Sequence, residues 1–199
     1  MKQIIFLLIL MGFAVIGRSQ STDADLQGLH TFNQQRFAIN KRGFLVLSSW
    51  SAANIISGIA GTTTSSGQAK YFHQMNAIWG AVNLAIALPG YIGARKSNAD
   101  LTLAASLKGQ AAAEKTFIFN AGLDLAYIAG AVWLVEKGNT ASNSDKYKGY
   151  GKSVLMQGAF LLVFDAVMFA SHNQHGKKLY RTLETLKLAP NSVGLNVPL

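Results

Sequence analysis

The chain has 199 residues, half of them hydrophobic and 14% charged, with a formal net charge of +9 and no cysteine. That length fits one domain, and the missing cysteine excludes disulfides, thiolate metal sites and thiol nucleophiles. The apolar residues come in blocks with Lys and Arg between them, near where headgroups would lie, so the charge points to anionic lipid and away from nucleic acid.

Met1-Lys2-Gln3 and the apolar run 4–16 make the short positive start and ~13-residue core of a secretory signal peptide, too short for an ordinary span. Gly17 and Ser19 are small at the positions a signal peptidase reads. Residues 1–19 are therefore expected to be a leader cleaved before Gln20, the alternative being an uncleaved anchor helix. Residues 20–42 form a polar arm in which Leu26, Leu29, His30, Phe32 and Phe37 recur loosely at helical spacing, as in an amphipathic helix lying at the interface.

A four-helix membrane domain is expected over 43–190. The first span covers 43–61 and ends in a Thr/Ser linker; the second covers 72–94, where Pro89-Gly90 should kink it. Ser97 or Asn98 with Asp100 reads as an N-cap opening a solvated helix over 98–115, with Leu101, Ala104, Ala105, Leu107 and Ala111 as its apolar stripe. That helix runs into a third span, 116–135. A polar linker over 139–152, a fourth span over 153–171, an amphipathic helix over 174–189 and a flexible tail, 191–199, complete the chain.

The fold expected is thus all-α: a transmembrane four-helix bundle of two helical hairpins, with amphipathic helical extensions on one side. The linkers 61–71 and 138–147 each start with Gly and end Lys-Tyr, a weak hint of a duplicated hairpin. In layout, over nearly the whole chain, the sequence resembles small bacterial integral membrane proteins of unknown function with a signal-like start and four spans. The resemblance implies an integral protein of the bacterial inner membrane and transfers no functional residue.

Asp124 and Asp165 lie inside apolar runs. A charge at the bilayer centre costs at least ~2.5 kcal/mol, so an acid there is paired, protonated or lining a polar cavity. Call side A the end holding the arm, residues 95–115 and the tail, and side B the end holding the two Thr/Ser linkers. Counted from side A at 1.5 Å per residue, Asn54, Asn83, Asp124 and Asp165 fall within ~6 Å of one depth, one polar residue per helix. Asn120 and Tyr127 share the face of Asp124, Trp50 and Trp79 stand one turn before Asn54 and Asn83, and Asn76 continues the face of Asn83. Such a layer suits a proton, a cation or a small polar ligand. It suits equally a structural subunit in which Asn–Asp hydrogen bonds with one shared proton fix helix register, since such contacts average ~0.6 kcal/mol in membranes. A membrane enzyme is a third reading.

Gly122, Ala126 and Gly130 form a small-residue ridge on the third span, a face that permits close helix approach and a homo-oligomer. His172 and His175, with His30 from the arm, are the remaining metal candidates; an interfacial histidine pair without a neighbouring acid or cysteine is ordinarily unliganded, so no metal and no cofactor is expected. Glu-x-x-His pairs, a phosphate-cradling glycine loop and Gly-x-Ser-x-Gly are missing.

Side A carries the excess of Lys and Arg, which places it in the cytoplasm by the positive-inside rule, whereas a cleaved leader places it outside. An uncleaved first helix with its N-terminus outside reconciles the two as five spans. The leader pattern is the more specific signal. Alkaline phosphatase fused after Leu199 is therefore expected to be active; an inactive fusion puts side A in the cytoplasm.

Overall fold

The computed structural model describes helix placement over residues 2–188 and side chains over residues 26–181. The leader at 1–19 and the tail at 191–199 lie outside the described side chains. Four helices follow one another: α1 (Lys2–Thr64), α2 (Gly67–Lys96), α3 (Leu103–Lys137) and α4 (Ser144–Leu188). Each contains a stretch long and apolar enough to cross a membrane, and no strand occurs among the described residues.

The hairpins are α1/α2 and α3/α4. Gly61 meets His73 and Gly90 meets Phe44, which sets α1 and α2 antiparallel. α4 joins the hairpins. It runs parallel to α2, with Tyr150 bonded to Gln74 and Ser153 to Asn76, and antiparallel to α1, where Gly43 meets Met168 and Trp50 stacks on Phe160. α3 touches α1 near side A, through Asn33 and Arg36 to Ser106.

Element ends depart from the sequence reading where local hydrogen bonds decide them. The first turn is shorter than the linker expected, because Gly67 takes a left-handed φ of 56° that an L side chain rarely adopts and reverses the chain within Ser65–Ser66. α3 starts at Leu103, later than expected. Its N-cap is Thr102, whose hydroxyl accepts from Ala105 N at 3.2 Å, while the Asn98 side chain is taken up by Asp100 N at 3.0 Å in a separate turn. α4 starts at Ser144, well before 153, and its first turns pack Gly149 against Gln68, Tyr71 and Phe72 of α2. α2 continues as a helix through Pro89 to Lys96.

Burial runs opposite to that of a water-soluble domain. The largest fully buried side chains among the described residues are all polar: His172, Gln110, Gln157, Asn33, Ser51, Ser106 and Ser153. Ile56, Ile86, Phe119, Trp133, Val163 and Val167 face outward. Hydrocarbon welcomes such side chains and offers polar groups no hydrogen bonds, so the polar ones turn inward. A small apolar core of Leu47, Ala87, Phe117, Leu161, Phe164 and Met168 remains towards side A.

The same logic corrects two expected stripes. In the arm, Phe32, Asn33 and Arg36 are buried while Leu26 is exposed, and in the first turns of α3 the buried residues are Ser106 and Gln110 instead of the alanine stripe. These segments continue α1 and α3 and meet each other and α4 through polar faces, so the arm does not lie apart on the interface. The Gly122, Ala126, Gly130 ridge faces away from the bundle, with nothing within 4 Å of a Cβ placed on Gly122 or Gly130.

Gly80 is tightly opposed: its Cβ would lie 2.8 Å from Ser51 O and 2.9 Å from Ile55 Cγ1. Gly80→Val is expected to destabilise the detergent-solubilised protein by about 1–3 kcal/mol through overpacking, and Gly122→Val to stay within ~0.5 kcal/mol of the parent, as read by thermal unfolding.

Candidate functional site: a polar interior in two tiers

The tier nearer side B is built around Gln157 of α4. Its Nε2 donates to Asn54 Oδ1 at 2.7 Å and reaches Asn76 Oδ1 at 3.4 Å, and its Oε1 accepts from Trp50 Nε1 at 2.8 Å. Ser153, one turn earlier on α4, donates its hydroxyl to the same Asn76 oxygen. Asn54 Nδ2 is used by Trp50 O at 2.8 Å. Trp50 and Asn54 face the same way because they are four residues apart on one helix, and Asn76, Gly80, Asn83 and Ala87 form the inward stripe of α2 by the same periodicity. The Trp50 ring stacks on Phe160 at 3.9 Å, and Trp79 meets Tyr127 edge to face at 5.1 Å, linking α2 to α3.

The second tier holds the acids. Asp124 of α3 and Asp165 of α4 are neighbours whose carboxyls act on each other, and the Asn120 side chain adjoins Asp165. Both acids are buried, at 3% and 4% exposure. Ionised carboxylates only accept hydrogen bonds, so a carboxyl–carboxyl hydrogen bond contains a proton. Asp124 Oδ2 and Asn83 Nδ2, an acceptor and a donor, are buried with no protein partner.

The single layer expected from sequence is thus divided. Asp165 follows Gln157 by eight residues and Asn83 follows Asn76 by seven on parallel helices, which separates the tiers by ~10–12 Å along the axes. Depth counted from span ends misjudged this because the helices run past the ends that hydropathy suggests, each by a different amount. Trp50, Asn54 and Asn76 fall in one tier, Asn120, Asp124 and Asp165 in the other. Asn83 lies at the level of the acids without a bond to them, and Trp79 and Tyr127 meet each other alone. Gln157 and Ser153 were overlooked, although Ser153, Gln157, Asp165 and His172 repeat at intervals of four, eight and seven and so mark one inward face of α4.

The three histidines do not converge. His30 pairs with Asp100 at 3.5 Å, His172 Nε2 faces Asn40 Oδ1 at 2.8 Å, and His175 Nε2 donates to Phe32 O at 3.0 Å.

A family model described as a family of unknown function (DUF6992) matches residues 46–166. The chain belongs to this family. The matched segment opens four residues before Trp50 and closes one after Asp165, so both tiers lie within the DUF6992 region. No curated protein and no solved structure matches the chain.

Gln157 is the shared partner of Trp50, Asn54 and Asn76, so Gln157→Leu strands Trp50 Nε1 and Asn54 Oδ1, while Asn76 Oδ1 keeps the Ser153 hydroxyl. A loss of roughly 1–3 kcal/mol is expected, measured by thermal unfolding in micelles. An unchanged midpoint would mean that the tier does not hold the helices.

Proposed function

We propose that this protein is a non-enzymatic integral membrane protein, in a bacterial inner membrane, whose acid tier holds a proton in exchange with a small cation or polar ligand. The observation that carries the reading is the contrast between the tiers. Around Gln157 the side-chain hydrogen bonds close on one another, as a structural contact requires. Around Asp124 they do not close. Two buried carboxyls adjoin each other, where one proton held between them relieves the repulsion of like charges, and an oxygen of Asp124 and the amide nitrogen of Asn83 are buried without partners. Buried polar groups left unpaired cost free energy that a functional ligand recovers. A small cation entering between the carboxyls would find oxygens from Asp124 and Asp165 and would release the shared proton, leaving the net charge of the site unchanged.

The purely structural reading is favoured for the Gln157 tier by its closed network, and that tier is assigned to helix register. The outward ridge at Gly122, Ala126 and Gly130 supports self-association as a further part of the proposal, since small residues let a second helix approach closely.

The test is proton release. The full chain in weakly buffered detergent is titrated with sodium, lithium or ammonium chloride at constant ionic strength, and an indicator dye follows the medium. Release of up to one proton per chain is expected from the parent. None is expected from the doubly substituted Asp124→Asn, Asp165→Asn protein, whose folding is checked by gel filtration and helical circular dichroism. Equal release from both, or none from the parent, defeats the exchange reading and leaves the tier structural.

A further inference from the structure

Beyond the acid tier, outside residues 46–166 and towards side A, the arm buries a charge without an opposite one among the described residues. Arg36 is 4% exposed. Its guanidinium lies against Gly109 so closely that a methyl group there would overlap Nη1. Among the described residues its hydrogen bonding amounts to one long contact, Nη1 to Ser106 O at 3.4 Å, together with the face of Phe37 at 4.9 Å, and Nε has no partner. No carboxylate of the described residues comes within ion-pair distance; the nearest ionisable neighbours across the bundle, His172 and His175 of α4, are basic. Glu114 is engaged elsewhere, with Gln110 Nε2 at 2.8 Å and with Tyr180, and Asp100 pairs with His30.

The walls of this place are polar and their orientations are fixed. Asn33 Nδ2 donates to Ala99 O at 3.1 Å and Ser106 Oγ at 2.9 Å, which leaves Asn33 Oδ1 buried and unpartnered. Gln110 Nε2 donates to His172 O at 2.6 Å, which does the same for Gln110 Oε1. Next to it a groove of about 380 Å³ is lined by His30, Gln34, Phe37, Lys41, Arg95 and Asn98. Phe37 and Ala99 are common to the groove and to the contacts of Arg36 and Asn33, so the groove adjoins the buried cluster, and Lys41 and Arg95 give it the sign that draws anions.

We propose that Arg36, with Asn33 and Gln110, is the seat of an oxyanion of the phosphate class that also carries a hydroxyl, bound at the side-A boundary of the membrane. A buried guanidinium demands an opposite charge, and its Nε edge suits two oxygens of one anion. The two unpartnered amide oxygens demand donors, which a bare phosphodiester lacks. Hydrogen phosphate and an anionic phospholipid with a hydroxylated headgroup both satisfy the pattern.

The test uses the full chain in neutral detergent. Thermal midpoints are measured with inorganic phosphate against chloride at equal ionic strength, and in mixed micelles with phosphatidylglycerol against phosphatidylcholine. The parent is expected to gain about 5–10 °C at a hundredfold excess over Kd from at least one of the two anions. A rise with phosphatidylglycerol alone identifies the headgroup as the source, and a rise with phosphate identifies the free anion. Arg36→Gln should abolish the rise. Asn33→Asp places a fixed carboxylate beside the guanidinium at the loss of the two bonds that Asn33 Nδ2 donates; with its fold checked by gel filtration and helical circular dichroism, it should lose the response, and it serves as the deciding variant where Arg36→Gln fails to fold. No rise in the parent with either anion, or the parental rise retained in Asn33→Asp or in a folded Arg36→Gln, overturns the proposal.

Discussion

Hydrocarbon cannot donate or accept a hydrogen bond, and every other feature of this structure follows from that constraint. It turns Ile56, Phe119, Trp133 and Val163 outward and Asn33, Ser106, Gln110, Gln157 and His172 inward. It makes the interior a column of polar contacts interrupted by one apolar cluster, Leu47 to Met168 in α1 to α4, instead of an apolar core with a polar shell. Helix association cannot then rest on the hydrophobic effect, because lipid tails are as apolar as the side chains they would replace. Close backbone approach at Gly58 and Gly80, where a Cβ would come within 2.6 Å of Ala77 N and 2.8 Å of Ser51 O, and the bonds of Gln157 take its place.

Within that column, satisfaction separates structure from function. A polar group that is buried and bonded does what the membrane demands of it and nothing more. A polar group that is buried and unbonded carries a cost that folding alone does not explain. By this criterion the Gln157 tier is a clamp. The acid tier differs from it, because Asp124 Oδ2 and Asn83 Nδ2 are left over beside the two adjoining carboxyls, and this difference is what the proposed function rests on. The Arg36 cluster meets the same criterion at the membrane boundary with the opposite sign of charge.

Helix number, the hairpin pairing and the burial of Asp124 and Asp165 were legible in the sequence because they depend on composition and on the period of a helix. What could not be read was register. Hydropathy places the ends of apolar runs, but α4 begins at Ser144 and α1 continues through the arm, since polar faces that meet other polar faces keep a helix going beyond its apolar part. An error of two turns in those ends is enough to merge two tiers into one layer. The arm shows the same limit from another side. Leu26, Leu29, His30, Phe32 and Phe37 suggested an apolar face, yet of these only Phe32 is buried, together with Asn33 and Arg36, because what a helix buries depends on its neighbour, and the neighbour here is the polar end of α3 and α4. Gln157 escaped notice because an uncharged amide inside an apolar run costs less than an acid and so draws less attention, although it carries more hydrogen bonds.

The central claim is that the proton between Asp124 and Asp165 is real and exchangeable. Infrared difference spectroscopy of the full chain transferred from H2O to D2O measures it directly, through the carbonyl stretch of a protonated carboxyl. The account predicts a band that shifts on deuteration and disappears in Asp165→Asn. A spectrum with no such band in the parent, or one unchanged by the substitution, would contradict it.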